Sequence, residues 1–113
     1  MIEGYRFGEM VVLGKTYRRD LKIIKGRVYS DWWRKEGHLL QPEDLEDIWK
    51  ARPKILIVGT GASGVMRVDP RTVEQAKELS ITLEAYPTHK AVQRFNELFQ
   101  KGEEVAGAFH LTC

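Results

Sequence analysis

Lys54-Ile55-Leu56-Ile57-Val58-Gly59-Thr60-Gly61-Ala62-Ser63-Gly64 decides the fold, because an apolar run passes directly into a glycine-rich loop. An uninterrupted Ile-Leu-Ile-Val run reads as a strand buried on both faces, since a half-exposed strand would alternate with polar residues. The loop is therefore delivered by the core. Its glycines permit positive φ and close approach of another group, and successive free N–H groups there can cradle an anion.

With 113 residues, 42% of them hydrophobic and 30% charged, the chain reads as one soluble globular domain spanning 1–113. A net charge of +2 supplies no strong field for nucleic acid or anionic lipid, so neither is expected as a partner. No apolar run has spanning length, and Met1-Ile2-Glu3-Gly4-Tyr5-Arg6 lacks the order of a secretory signal. The lone Cys113 fits a reducing compartment, and a cytoplasmic location is the expectation.

Upstream of the central strand, Tyr5 to Leu13 followed by Gly14-Lys15 and Thr16-Tyr17 predicts a hairpin. Asp20 to Tyr29 repeats the pattern around Lys25-Gly26, making an N-terminal β-meander. Gln41 to Pro53 carries helix punctuation: Pro42 first, Glu43 and Asp44 in a solvated first turn, Lys50 and Arg52 last. Downstream, Asp69-Pro70 caps a helix with Val73, Ala76 and Leu79 as its apolar stripe, and Ile81 to Tyr86 is a strand. Central strand, helix and strand form one right-handed βαβ unit with parallel strands, which sets the class as α/β. Thr88 is expected to cap a last helix from His89 to Gln100. Its inward face is Ala91, Val92, Phe95, Leu98 and Phe99, and Glu103 to Cys113 forms a closing strand.

Gly59-Thr60-Gly61-Ala62-Ser63-Gly64 matches G-x-G-x-x-G after a strand, with Glu84 near the place of a ribose-binding acid. Val65 to Val68 nonetheless separate the loop from its helix, whose cap is the acidic Asp69, so a structural turn or small-anion nest fits better than a dinucleotide site. Thr88 and Lys90 should reach the same sheet edge as this loop. That gives a candidate ligand site of Gly59, Thr60, Gly61, Ser63, Thr88, Lys90 and His110, against the alternative that Thr88 only caps and Lys90 is only solvated. His110, in a strand of Ala, Phe and Leu, reads first as a satisfied core histidine and second as a proton-transfer group. His38, His89, His110 and Cys113 have no metal-ligand spacing, and neither metal nor cofactor is expected. No nucleophile elbow or P-loop lysine is present, which favours a non-enzymatic reading. Trp32 and Trp33 cannot share one strand face, so one is expected to be more exposed; either one ring caps the core and the other lies over a neighbouring loop, or they form an aromatic anchor for a partner.

Tyr5-x-Phe7-Gly8, Asp20, Trp33, Gly59-Thr60-Gly61, Pro87-Thr88, Ala91, Phe95-Asn96, Val105-Ala106 and His110-Leu111-Thr112-Cys113 together resemble the Mth-type domain of the adipogenesis-associated Mth-domain-containing proteins. The mitochondrial complex I assembly factor of that superfamily is similar too. The resemblance covers nearly the whole chain and implies a three-layer fold with a central mixed sheet and an extra meander. It implies no catalytic residues or cofactor, while Gly59, Thr60, Gly61, Thr88 and Asn96 match its shared pattern. Two readings of function follow. One is a binding domain for protein partners in assembly or regulation, using the surface at Trp32 and Trp33, with a homodimer through strand edges as one form of it. The other is a small-molecule or anion-binding protein, or an enzyme, with its pocket at the glycine loop and the start of the last helix.

Overall fold

The computed structural model describes all residues from Met1 to Cys113. The apolar run forms β7 (Ile55–Thr60), and its five-stranded sheet also contains β4 (Leu21–Ile24), β5 (Arg27–Tyr29), β9 (Thr82–Tyr86) and β10 (Val105–His110). The order is β5-β4-β10-β7-β9, with β10 parallel to β7, β7 parallel to β9, and β4 antiparallel to β10. The mixed sheet and the unit β7-α2-β9 (α2, Pro70–Glu78) agree with the sequence reading. A second parallel crossover runs from β9 through α3 (Thr88–Gln100) to β10, which passes beyond β7. The closing strand is thus internal, and the sheet edges are β5 and β9. Every residue of β10 is buried, and its middle is the small run Ala106-Gly107-Ala108 between Val105 and Phe109.

Three layers result. On one face, α3 and a small sheet of β1 (Ile2–Arg6), β2 (Glu9–Val12) and β3 (Lys15–Tyr17) enclose Ile2, Met10, Leu21, Ile57, Phe95 and Phe109. On the other, α1 (Glu46–Ala51) and α2 enclose Trp32, Leu45, Ile48, Leu56, Val58 and Ala76. Phe95 meets Phe109 edge-on at 5.7 Å. Gly107 makes that possible, since a Cβ there would lie 2.4 Å from the Phe109 ring. Burial of each such ring stabilises the fold by roughly 2–3 kcal/mol.

Several elements differ from expectation for local reasons. The first predicted strand is two, because Gly8 at φ 76° turns the chain between β1 and β2; a second turn follows at Leu13-Gly14. The meander is also split, since β3 pairs only within the small sheet while β4 and β5 join the large one. Residues Pro42–Leu45 form a 3-10 turn ahead of α1, and Asp44 is buried, not solvated: its carboxylate accepts from the Gln41 and Lys35 N–H groups. In α2 Ala76 faces inward as expected, but its buried companion is Thr72, whose hydroxyl donates to Leu40 O at 2.8 Å, and Val73 is exposed. Phe99 likewise lies on the surface. Residues 65–68 do more than connect the loop to its helix, because β8 (Arg67–Val68) pairs in parallel with β6 (Leu39–Leu40).

Candidate functional site

Asp69 caps α2 as expected, its carboxylate accepting from Arg71 N. Thr88 does not cap α3: Pro87 holds that place and Thr88 is the first helical residue, with its side chain turned inward. There the fully buried Oγ1 accepts from Gly61 N at 2.8 Å and donates to His110 O at 2.6 Å. One hydroxyl thus joins the glycine loop, the last helix and the central strand. A Cβ on Gly59 would stand 2.8 Å from that hydroxyl, so glycine is required by the approach of Thr88.

The N–H groups of the loop are taken by the chain itself. Ala62 N donates to Thr112 O at 2.6 Å, and Ser63 N and Val65 N donate to Cys113 O at 3.2 and 3.1 Å. Gly61, at φ 107°, has no room for a side chain, since a Cβ would fall 2.3 Å from the Cys113 carbonyl carbon. The structure therefore joins Gly59, Gly61, Thr88 and the His110 backbone. Thr60 donates to Tyr86 O beside them, while Ser63 is exposed and Lys90 extends over the Tyr86 ring at 5.5 Å.

The His110 side chain belongs to a second constellation. Its Nδ1 lies 2.7 Å from Asp20 Oδ2, while Leu111 N donates to Asp20 Oδ1 at 2.8 Å. Burial alone would raise the Asp20 pKa, but the hydrogen bonds from His110 and Leu111 and the charge of Arg34 outweigh it and hold it below the usual carboxylate range. Asp20 is thus ionised, it can only accept, and the imidazole proton sits on Nδ1. The 3.2 Å approach of Arg34 Nη2 to that nitrogen is a contact between donors. Arg34, whose side chain is 4% exposed, is fixed by donating through Nη2 and Nε to Gly37 O and by lying over the Trp32 ring at 4.8 Å. Its Nη1 is 2.8 Å from Asp20 Oδ2, an ion pair, but no acceptor stands in line with the N–H bonds of that nitrogen. His110 Nε2 is buried and has no partner.

These groups floor a cleft of about 380 Å³ whose walls include Arg18, Arg19, Asp31 and Trp33. Adjacent tryptophans have taken opposite fates. Trp32 is 8% exposed and donates through Nε1 to Asp44 O at 3.0 Å, whereas Trp33 is 75% exposed with Arg19 against its ring at 5.5 Å. Trp32 is a core residue supporting Arg34, so only Trp33 is available as an anchor.

The sequence alone does not single out Asp20 and Arg34 as site residues, although Asp20 and His110 are both part of the family pattern. The available signal is a carboxylate at the start of an apolar strand, placed where it must be buried and paired. Tyr5 belongs to the same network: its hydroxyl donates to Leu111 O at 2.8 Å, and burial with the nearby Asp20 charge raises its pKa. No group of three or more His, Cys, Asp or Glu residues stands close enough to hold a metal ion, and no helix is long and apolar enough to cross a membrane.

Solved structures share this architecture along the whole chain. The conserved hypothetical protein PH1505 from Pyrococcus horikoshii OT3 is 27% identical, with a TM-score of 0.85 over 100% of this chain and 99% of that one. MT938 is 30% identical, with a TM-score of 0.82 and coverage of 100% and 98%. A Mth938-like domain from Bordetella pertussis is 19% identical with a TM-score of 0.70, coverage 98% and 85%, and shows the fold alone. The Mth-type resemblance is thereby borne out. A family model described as "Protein of unknown function (DUF498/DUF598)" matches residues 2–110, and the chain belongs to that family.

Proposed function

We propose that this domain works by binding, taking an acidic segment of a partner protein into the cleft beside Trp33. The observation that carries the reading is Trp33 itself, a large aromatic left 75% exposed while its neighbour is buried. Tryptophan and arginine are the residues in which binding energy concentrates. Charge sets the kind of segment. Arg18 and Arg19 on the walls, the latter also against the Trp33 ring, make surface ion pairs to Glu9 and Asp31 at 3.6 and 3.8 Å, contacts worth about 0–1 kcal/mol and easily exchanged. With Arg34 below them, three guanidinium groups face two carboxylates, Asp20 and Asp31. The cleft lining contains no serine, threonine or cysteine, and this composition supports recognition over nucleophilic chemistry.

A random-peptide display library selected against the protein tests the reading. Enrichment of acidic sequences that bind at least tenfold more weakly to Trp33→Ala, with Trp33→Phe intermediate, is the expected result. Selection of no sequence family, or of one indifferent to Trp33, would overturn it.

A further inference from the structure

We propose that the floor of the cleft is a carboxylate site, in which Arg34 and His110 receive one acidic group and His110 takes up a proton as it binds. The group is either an Asp or Glu side chain of the captured segment, in which case the inference rests on the reading above, or a free small carboxylate.

Two buried atoms without a hydrogen bond mark the site. His110 Nε2 has no partner, and Arg34 Nη1 has only the out-of-line ion pair to Asp20 Oδ2 at 2.8 Å; their side chains are 7% and 4% exposed. Buried polar atoms are nearly always satisfied, so two such nitrogens on residues lining one cleft call for a missing partner. The only carboxylate between them is already committed: Asp20 receives Leu111 N on one oxygen and His110 Nδ1 with the Arg34 charge on the other. The imidazole faces Asp20 from the segment before β4, Arg34 from the segment after β5, and His38 edge-on at 5.8 Å; Arg18, Arg19 and Asp31 line the same cleft, and Tyr5 lies near Asp20.

The chemistry of the imidazole selects the ligand and couples it to pH. Because Asp20 fixes the first proton on Nδ1, the neutral ring keeps a lone pair on Nε2, which repels a carboxylate oxygen. A proton from solvent on Nε2 converts it to a donor, and no covalent bond between heavy atoms is made or broken. Arg34 and the imidazolium then carry two positive charges against the single negative charge of Asp20. One monoanionic carboxylate restores neutrality, whereas a phosphate dianion would leave an excess charge. Arginine is the cation best shaped for this pairing.

The test is to follow the histidine ring nitrogens of the wild-type protein by long-range proton–nitrogen NMR while sodium acetate is titrated against sodium chloride at equal ionic strength. His110 Nε2 should move toward its protonated signal, with the exposed His89 as internal control. Acetate affinity should fall about tenfold per unit of pH once the imidazole is neutral. A His110 response no larger than that of His89 would overturn the site for free carboxylates. In parallel, calorimetry of a selected acidic peptide in two buffers of different ionisation enthalpy should show uptake of one proton, lost when the peptide acid is replaced by its amide. A response to acetate alone supports the site as one for a free small carboxylate. A peptide that binds through Trp33 with no proton uptake, together with silence toward acetate, removes the inference and leaves the cleft reading standing. Failure of both ligands removes both. His110→Gln, which keeps a polar side chain without a titrating proton, should abolish the uptake in either arm.

Discussion

Replacing Thr88 with valine keeps the volume and removes only the hydroxyl that ties Gly61 to His110. The structure fixes the cost. Two hydrogen bonds of 2.8 and 2.6 Å are lost at a fully buried position. Each contributes about 1 kcal/mol net, and the stranded Gly61 N–H adds a desolvation penalty of about 1–3 kcal/mol, so Thr88→Val should lose roughly 3–5 kcal/mol. At about 2.1 cal/mol/K of unfolding entropy per residue, a chain of 113 residues shifts by about 4 °C per kcal/mol, giving a drop in Tm of roughly 13–21 °C. Thr88→Ser keeps the hydroxyl and loses one methyl, worth about 1 kcal/mol or roughly 4 °C. Calorimetric melting of the two variants measures the difference, and hydrogen exchange locates it, since the Gly61 amide should lose protection in the valine variant alone. A valine variant as stable as wild type, or a serine variant equally damaged, would refute the view that this hydroxyl joins the two segments.

The remaining expectations separate supporting residues from available ones. Trp32→Ala should cost about 3–5 kcal/mol in denaturant unfolding, and Trp33→Ala less than about 0.5 kcal/mol; equal costs would contradict the opposite burial of the two rings. Gly61→Ala forces a side chain into the Cys113 carbonyl at a φ of 107° and should lower stability by at least about 1–3 kcal/mol, read as a fall in the denaturation midpoint. Asp20 has a lowered carboxyl pKa in the folded state, so its contribution is present above the ordinary carboxylate value of about 3.9 and is lost as the pH falls through its lower folded value. Asp20→Asn should be less stable near neutrality and show a shallower loss over that acid range in pH-dependent unfolding. An unchanged acid limb would count against the assigned pairing.

The fold is legible wherever one local rule acts alone. Ile55 to Val58 has no reading but a buried strand, and Asp69-Pro70 no reading but a helix start. The glycine loop and Thr88 are predictable neighbours, because parallel strands end at a common edge. What fills the space between them is invisible in the sequence: Thr88 has the chemistry of a cap, and only tertiary contacts decide that its hydroxyl turns inward while Pro87 takes that position. Likewise, nothing local says that Thr112 and Cys113 return to occupy the loop's donors. The Asp20, Arg34 and His110 cluster combines residues from three distant segments, so its detection requires the pairing of β4 with β10. The reading of His110 as a satisfied core histidine holds for half of the ring, since one nitrogen is bonded and the other is not.

The placement of β10 between β4 and β7 makes the molecule a natural candidate for fragment complementation. Residues 1–102 contain every other strand but leave an open slot in the middle of the large sheet, with apolar groups on both of its walls. Residues 103–113 contain the missing strand and the tail that occupies the glycine loop, yet have no core of their own. The joint between the pieces is the exposed Lys101-Gly102 turn, where Gly102 stands in open space. Cleavage there would divide the protein into a large acceptor and a short peptide that has no core of its own, whose recombination supplies its own signal of assembly.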